Sequence, residues 1–177
     1  MPQALSISSI KARMPVRYRL HPLIRWVMIT FTALIAGYTI YFLVRWVNAD
    51  TPMFFKIVPL VILYIGLDAL FRHLTALNEV IFTPECLWLR FIVKPAIPIP
   101  WENLRSMQLQ KRITYYLYIV YTDLQGRQKL YKTPASFPKM TEIIFNIADL
   151  APQVEMNQEL AKMVAYLREI SDKAETS

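Results

Sequence analysis

Cysteine, glycine, histidine and charge are all scarce in this chain of 177 residues. The single cysteine, Cys86, excludes an intramolecular disulfide and leaves a cysteine-based zinc site without partners. With only His21 and His73 beside it, a structural zinc has too few ligands. Three glycines, at 37, 66 and 126, are too few and too scattered for a phosphate-cradling loop. No G-x-S-x-G elbow and no H-E-x-x-H helix occurs. The expectation is therefore a protein with no cofactor, no metal and no catalytic residues. Charged residues make up 19% and hydrophobic residues 55%, where a soluble domain averages about 25% and 45–50%. That balance excludes intrinsic disorder and points to a segment that water does not solvate.

The apolar excess lies near the N-terminus. Residues 26–44, WVMITFTALIAGYTIYFLV, contain no charge. At about 1.5 Å per helical residue this run matches the hydrocarbon thickness of a bilayer. Arg25 and Arg45 bracket it, and Trp26 and Trp46 sit where amphipathic rings favour the membrane interface. Residues 53–71, MFFKIVPLVILYIGLDALF, are equally apolar apart from Lys56, which can snorkel, and Asp68, which has Arg72 four residues on. The intervening link is too short for a domain, so the sequence predicts a transmembrane hairpin over 22–73, with helices at about 26–45 and 53–72. The first run exceeds a signal-peptide core and no small-x-small site follows it, so it is expected to be retained. Residues 1–73 hold eight basic and two acidic residues, and the basic N-terminal tail, 1–21, has no acid. Positive-inside bias then places both termini in the cytoplasm. Ala33 and Gly37 form a small-xxx-small pair that permits close helix approach.

Residues 74–177 read as one cytoplasmic domain. Strand patterns occur at 78–82, 86–93, 97–101, 105–110, 115–121 and 128–133, with turns at 83–85 and 122–126. The prolines of IPIPW make 97–101 an edge or bulged strand. The period then becomes helical. Ser136 is the expected cap, with Pro138 in the first turn and Met140, Ile143, Ile144 and Ile147 on one face. A second helix is expected from about 155–157, with Leu160, Met163, Val164 and Leu167 on one face. Strands followed by helices make a membrane-anchored α+β protein: a bent antiparallel sheet or small barrel with C-terminal helices.

The segments NEVIFTPECLWLRF and IPIPWENLRSMQL, with Ile99 and Trp101 opening the third strand, and the hairpin YLYIVYTDLQGRQKLYKT resemble bacterial membrane proteins with a pleckstrin-homology-like (PH-like) domain behind two transmembrane helices. The resemblance covers about 74–170. It implies a multi-pass protein of the bacterial inner membrane that acts without catalysis, as a scaffold or accessory subunit meeting other membrane proteins or itself. Eukaryotic pleckstrin-homology domains that bind phosphoinositides carry basic residues around the first hairpin loop, which here is Thr83-Pro84-Glu85, so specific phosphoinositide binding is not expected.

Two further readings come from charge. Residues 105–139 contain Arg105, Lys111, Arg112, Arg127, Lys129, Lys132 and Lys139 against Asp123 alone. This basic stretch could face anionic lipid headgroups or a partner, which makes a lipid-surface sensor the second reading. Asp68, the one acid at membrane depth, is the basis of a third, a membrane enzyme or transporter component, although pairing with Arg72 is the simpler account. Cys86 is expected as a buried small hydrophobe. Nucleic acid is not an expected partner, because membrane topology explains much of the basic excess.

Overall fold

The structure, a computed structural model, describes residues 10–111, 113–123 and 125–175. Arg112, Leu124 and the first nine residues of the basic tail lie outside the described residues. The chain forms two compact units, a helical hairpin and a sheet domain.

In the hairpin unit, α1 runs over Pro22–Trp46 and α2 over Met53–Thr75. Both are long and apolar enough to cross a membrane, with mean hydropathy 2.0. Only 17% and 6% of their apolar windows are buried within the molecule. A core helix of a soluble protein would bury most of such a window, whereas these expose Leu23, Leu34, Tyr38, Phe54 and Tyr64 around their circumference. The two helices meet along a narrow seam of Ile29, Ala36 and Thr39 from α1 with Pro59 and Gly66 from α2. A Cβ on Gly66 would stand 3.7 Å from Ile35 Cγ2 and 3.9 Å from Ala36 Cβ, so the glycine admits α1 closely. Ala33 and Gly37 are exposed and face away from this seam, and a Cβ on Gly37 would meet nothing within 4 Å.

Charged side chains finish the helix ends. Arg25 is buried, and its Nη2 donates to the carbonyls of His73 at 2.7 Å and Ala76 at 2.9 Å. It thereby supplies donors to carbonyls that the last turn of α2 leaves without helical partners. Lys56 Nζ donates to Ala49 O at 2.6 Å across the link. Asp68 pairs with Arg72, one turn on, and both side chains are exposed.

The sheet domain holds two four-stranded sheets. The first contains β1 (Val16–Arg19), β2 (Leu77–Phe82), β3 (Cys86–Phe91) and β4 (Ile97–Pro100), in that order. The second has the order β7 (Gln128–Pro134), β6 (Tyr115–Thr122), β5 (Leu104–Lys111) and β8 (Glu155–Met156). α3 (Met140–Leu150) and α4 (Gln158–Glu175) complete the unit. Leu77, Val80 and Leu89 of the first sheet, Leu117 and Ile119 of the second, and Ile143 and Ile147 of α3 surround one small interior cavity. Each such fully buried aliphatic side chain is worth roughly 1.5–3 kcal/mol relative to exposure.

Five sequence expectations change here. Residues 16–19, read as part of a basic tail, form β1, which pairs antiparallel with β2 (Val16↔Phe82, Tyr18↔Val80). The hairpin is thus an insertion between two paired strands of one domain, and the domain begins before residue 22. The 97–101 strand stops at Pro100, on the sheet edge where prolines cost no ladder bond, and Trp101–Asn103 turn as a 3-10 helix. The helix expected to be capped by Ser136 begins at Met140, because Lys139 adopts φ 57° and breaks the turn before it. Glu155 and Met156, expected at a helix start, instead pair in parallel with Ser106 and Met107. The helical face expected of α3 is the buried one: Met140, Ile143, Ile144 and Ile147. Cys86 is half-buried rather than buried, with Sγ 3.4 Å from Thr83 Oγ1.

Candidate interaction face

Strand alternation assigns the side chains of the second sheet to two faces. Leu117, Ile119 and Tyr121 of β6 are buried, and Tyr116, Tyr118, Val120 and Thr122 between them point to the opposite face. The register aligns rows across that outer face: Pro134–Tyr116–Gln110, Lys132–Tyr118–Gln108 and Leu130–Val120–Ser106. A bulge between Leu104 and Ser106 turns Arg105 toward it, and Arg105 Nε donates to Thr122 Oγ1 at 3.4 Å. Lys132 Nζ lies 4.0 Å from the centroid of Tyr116 and 5.6 Å from that of Tyr118. A cation over two ring faces is held by their quadrupoles rather than by a carboxylate. Leu130 is 62% exposed in the next row. The result is an open, aromatic and amide-rich face with two cations, Arg105 and Lys132, and one acid, Glu155 of β8, in register with Ser106. Tyrosine and arginine enrichment with few charges is the composition of protein-contact surfaces.

The basic residues singled out by sequence are not gathered on this face. Arg105 and Lys132 are on it. Lys129 reaches Asp123 Oδ2 at 3.0 Å and Arg127 Nε reaches it at 3.4 Å, at the β6–β7 turn. Asp123 also accepts the backbone N–H groups of Gln125 at 2.8 Å and Arg127 at 2.9 Å. The Arg127 N–H bond first, then Lys129, hold the Asp123 carboxyl well below the usual carboxylate range. Lys139 pairs with Glu142 at 3.4 Å, before α3. Lys111 lies 5.7 Å from the Tyr115 ring centroid, at the end of β5. Arg112 lies outside the described residues. Three of the six described cations are therefore compensated by Asp123 or Glu142, because turns and helix starts bring acids to them that strand periodicity does not reveal.

Two polar arrangements escape sequence reasoning. Tyr18, on β1, is buried and donates from Oη to Glu142 Oε1 at 2.8 Å, while Asn146 Nδ2 donates to Tyr18 Oη at 2.8 Å. Burial chiefly, and the Glu142 carboxylate next, raise the Tyr18 phenol above its ordinary value. Its ring meets Phe82 edge-on at 5.6 Å, and Phe82 stacks on Trp101 at 5.8 Å. Trp101 Nε1 donates to Thr83 O at 3.0 Å, and the Ile99 beside it is fully buried. The second arrangement is Asn157, whose Oδ1 accepts from Leu109 N at 3.1 Å and whose Nδ2 donates to Leu109 O at 2.8 Å. One side chain so continues the β5–β8 ladder into the start of α4. The only sequence signals are a tyrosine between two arginines and an asparagine before a helix.

Among the described residues, no group of three or more His, Cys, Asp or Glu side chains is placed to hold a metal ion. Comparison with protein-family models, curated proteins and solved structures finds no match to this chain.

Proposed function

We propose that this chain is a non-enzymatic scaffold or accessory subunit of the bacterial inner membrane: α1 and α2 cross the bilayer, both termini are cytoplasmic, and a PH-like domain is presented to a membrane protein complex. The observation that carries this reading is the insertion of an exposed apolar hairpin between two paired strands. β1 and β2 belong to one sheet, so the segment before α1 and the segment after α2 share one side of the membrane. That topology agrees with the excess of basic residues in 1–21. The PH-like reading is supported by two sheets followed by C-terminal helices, and by Ile99 and Trp101 packing where the third strand of such a domain would open.

The tyrosine-rich outer face of the second sheet is the contact surface proposed for the partner. Three strands about 4.8 Å apart and about seven residues long offer only a few hundred Å², less than the roughly 800 Å² per partner of a stable interface. The partner therefore also engages the hairpin, where Ala33 and Gly37 lie open to another helix. Anionic-lipid sensing by the basic strands ranks second, because half of the described cations face acids of the same domain. A role through Asp68 ranks third, because that carboxylate is paired with Arg72.

The test is gentle detergent extraction of the tagged protein, native mass measurement and identification of co-purifying chains. A stoichiometric set of other membrane proteins, lost when Tyr118 and Leu130 are both changed to Ala, supports the reading. A lone chain that binds anionic vesicles through Lys111 and Lys132 transfers the assignment to lipid sensing.

A further inference from the structure

We propose that the edge of β7 is a self-pairing surface: β7 of one chain pairs antiparallel with β7 of a second copy, centred on Leu130. The inference goes beyond the reading above and does not depend on whether the helices cross a bilayer. It starts from the hydrogen bonds. In an antiparallel pair, facing residues alternate between those that exchange both main-chain bonds and those that exchange none. Ala135 N donates to Tyr115 O at 2.9 Å, and Asp123 N donates to Arg127 O at 2.8 Å. Both bonds continue the register of β6 with β7, in which Leu117 faces Thr133, Ile119 faces Tyr131 and Tyr121 faces Lys129. The bonded residues of β7 are therefore the odd-numbered ones. Gln128, Leu130 and Lys132, which alternate with them, direct N–H and C=O away from β6, over the edge of the sheet. All three are exposed, and among the described residues no strand lies on that side.

The remaining sheet edges are blunted. β8 is two residues long, β4 has prolines at 98 and 100, and β1 is four residues long with Arg17 and Arg19 exposed along it. β7 has seven residues, and its one proline, Pro134, comes at the end. Lysines commonly guard such an edge. Here both are held within their own domain: Lys132 lies 4.0 Å from the Tyr116 ring centroid, and Lys129 reaches Asp123 at 3.0 Å. Leu130 is the middle one of the three outward-directed residues and is 62% exposed. A two-fold axis at Leu130 sets this leucine against its own copy, Gln128 against Lys132, and Lys129 against Tyr131. No lysine then faces a lysine, an opposition that would disfavour pairing. The facing outward residues exchange about six main-chain bonds, two for each pair. A strand of another protein would meet the same free groups, but the match of this segment to its own reversed copy favours self-pairing. The contact is isologous and closes at two copies. It joins two copies of the second sheet into one continuous outer face and doubles the tyrosine-rich area that one chain presents.

The experiment uses the full chain with Cys86→Ser in a mild detergent, read by native mass and by oxidative cross-linking. The native mass is expected to be that of two chains. Leu130→Cys is expected to form an intermolecular disulfide, since a bonded antiparallel pair sets its Cα atoms about 5.5 Å apart, within disulfide reach. Gln128→Cys is expected to cross-link with itself at least several-fold more slowly, because four residues, roughly 14 Å along the strands, separate the two copies of position 128. An equal mixture of Gln128→Cys and Lys132→Cys chains is expected to recover the fast reaction. Leu130→Lys keeps the bonds to β6 and is expected to halve the native mass with an unchanged circular dichroism spectrum. A mass of one chain before that substitution, equal cross-linking at 130 and 128, or two chains that persist in Leu130→Lys overturns the inference. A single chain that still recovers stoichiometric membrane partners overturns self-pairing alone and leaves the scaffold reading intact. Should Leu130→Cys not fold, the mixture at positions 128 and 132 reports the same register.

Discussion

The hairpin and the sheet domain use the same apolar side chains in opposite ways. In the sheet domain Phe82, Leu87, Leu89, Ile99 and Met107 are at most 1% exposed. In the hairpin Leu23, Phe31, Leu34, Val44 and Phe54 are each more than half exposed. One unit satisfies its hydrophobic surface internally, through two sheets and α3. The other makes a thin seam of Ala36 and Gly66 and leaves the rest for something outside the chain. The contrast teaches that hydropathy alone does not distinguish a core from an anchor. The fraction of the apolar surface that the chain itself covers does.

The largest expected effect is at the join between the segment before the hairpin and the domain after it. Tyr18→Ala removes a buried ring from Phe82 and leaves Glu142 and Asn146 without their shared hydroxyl. A loss of about 3–5 kcal/mol is expected in denaturant unfolding followed by a probe of the sheet domain. An unchanged midpoint would mean that β1 is dispensable and that the domain begins at β2.

Next come paired substitutions that separate the two surfaces of α1 and α2. Gly66→Leu forces a side chain against Ile35 and Ala36, and is expected to cost about 1–3 kcal/mol in thermal unfolding in detergent. Gly37→Leu meets open space and is expected to leave the transition in place, while weakening any helix partner recovered by co-purification. Equal losses would show that the seam is elsewhere. Arg25→Met, which removes a charged donor from the carbonyls of His73 and Ala76, is expected to cost about 2 kcal/mol in the same assay.

The pH dependence also belongs to the sheet domain. Tyr18 is raised above its ordinary value of 10.0 by burial and Glu142, and Tyr131 is pushed up to about 12 by burial. A folded-state phenol pKa above the unfolded value means that the fold favours the neutral phenol. Its contribution is complete below about pH 10 and is lost as pH rises through the folded values. Alkaline unfolding should therefore begin above pH 10, and Tyr18→Phe should make its onset shallower. An unfolding free energy that stays flat through this window would remove both tyrosines from the account.

The smallest stability effect is expected on the outer face. Tyr118→Ala and Lys132→Glu should shift stability by only about 0.5 kcal/mol, as surface changes do, yet release the co-purifying partner. Loss of folding instead would place these side chains in the core.

Much of this contrast is legible in the sequence. Uncharged runs of helical length mark α1 and α2, and alternation marks the strands through Leu117, Ile119 and Tyr121. The 3.6-residue spacing of Met140, Ile143, Ile144 and Ile147 gives the buried face of α3. The rest depends on partners far away in the chain. β1 is four residues long, and its alternation gains meaning only from β2, which lies beyond the entire hairpin. Lys139 at positive φ and the 3-10 turn at Trp101 are set by packing rather than by propensity. The seven basic residues look like one face only while the bulge after Leu104 and the Asp123 turn are unknown. Asn157 holds Leu109 through a side chain acting as backbone, which no periodicity encodes.

The most direct test of the central claim is cysteine accessibility in intact bacterial cells, in a Cys86→Ser background. Asn48→Cys lies in the α1–α2 link and Gln125→Cys in the β6–β7 turn. The account expects a membrane-impermeant thiol reagent to label position 48 from outside, and position 125 only after the inner membrane is opened. Labelling of both positions from outside, labelling of neither until the cells are opened, or recovery of the protein in the soluble fraction would contradict a hairpin that crosses the membrane twice.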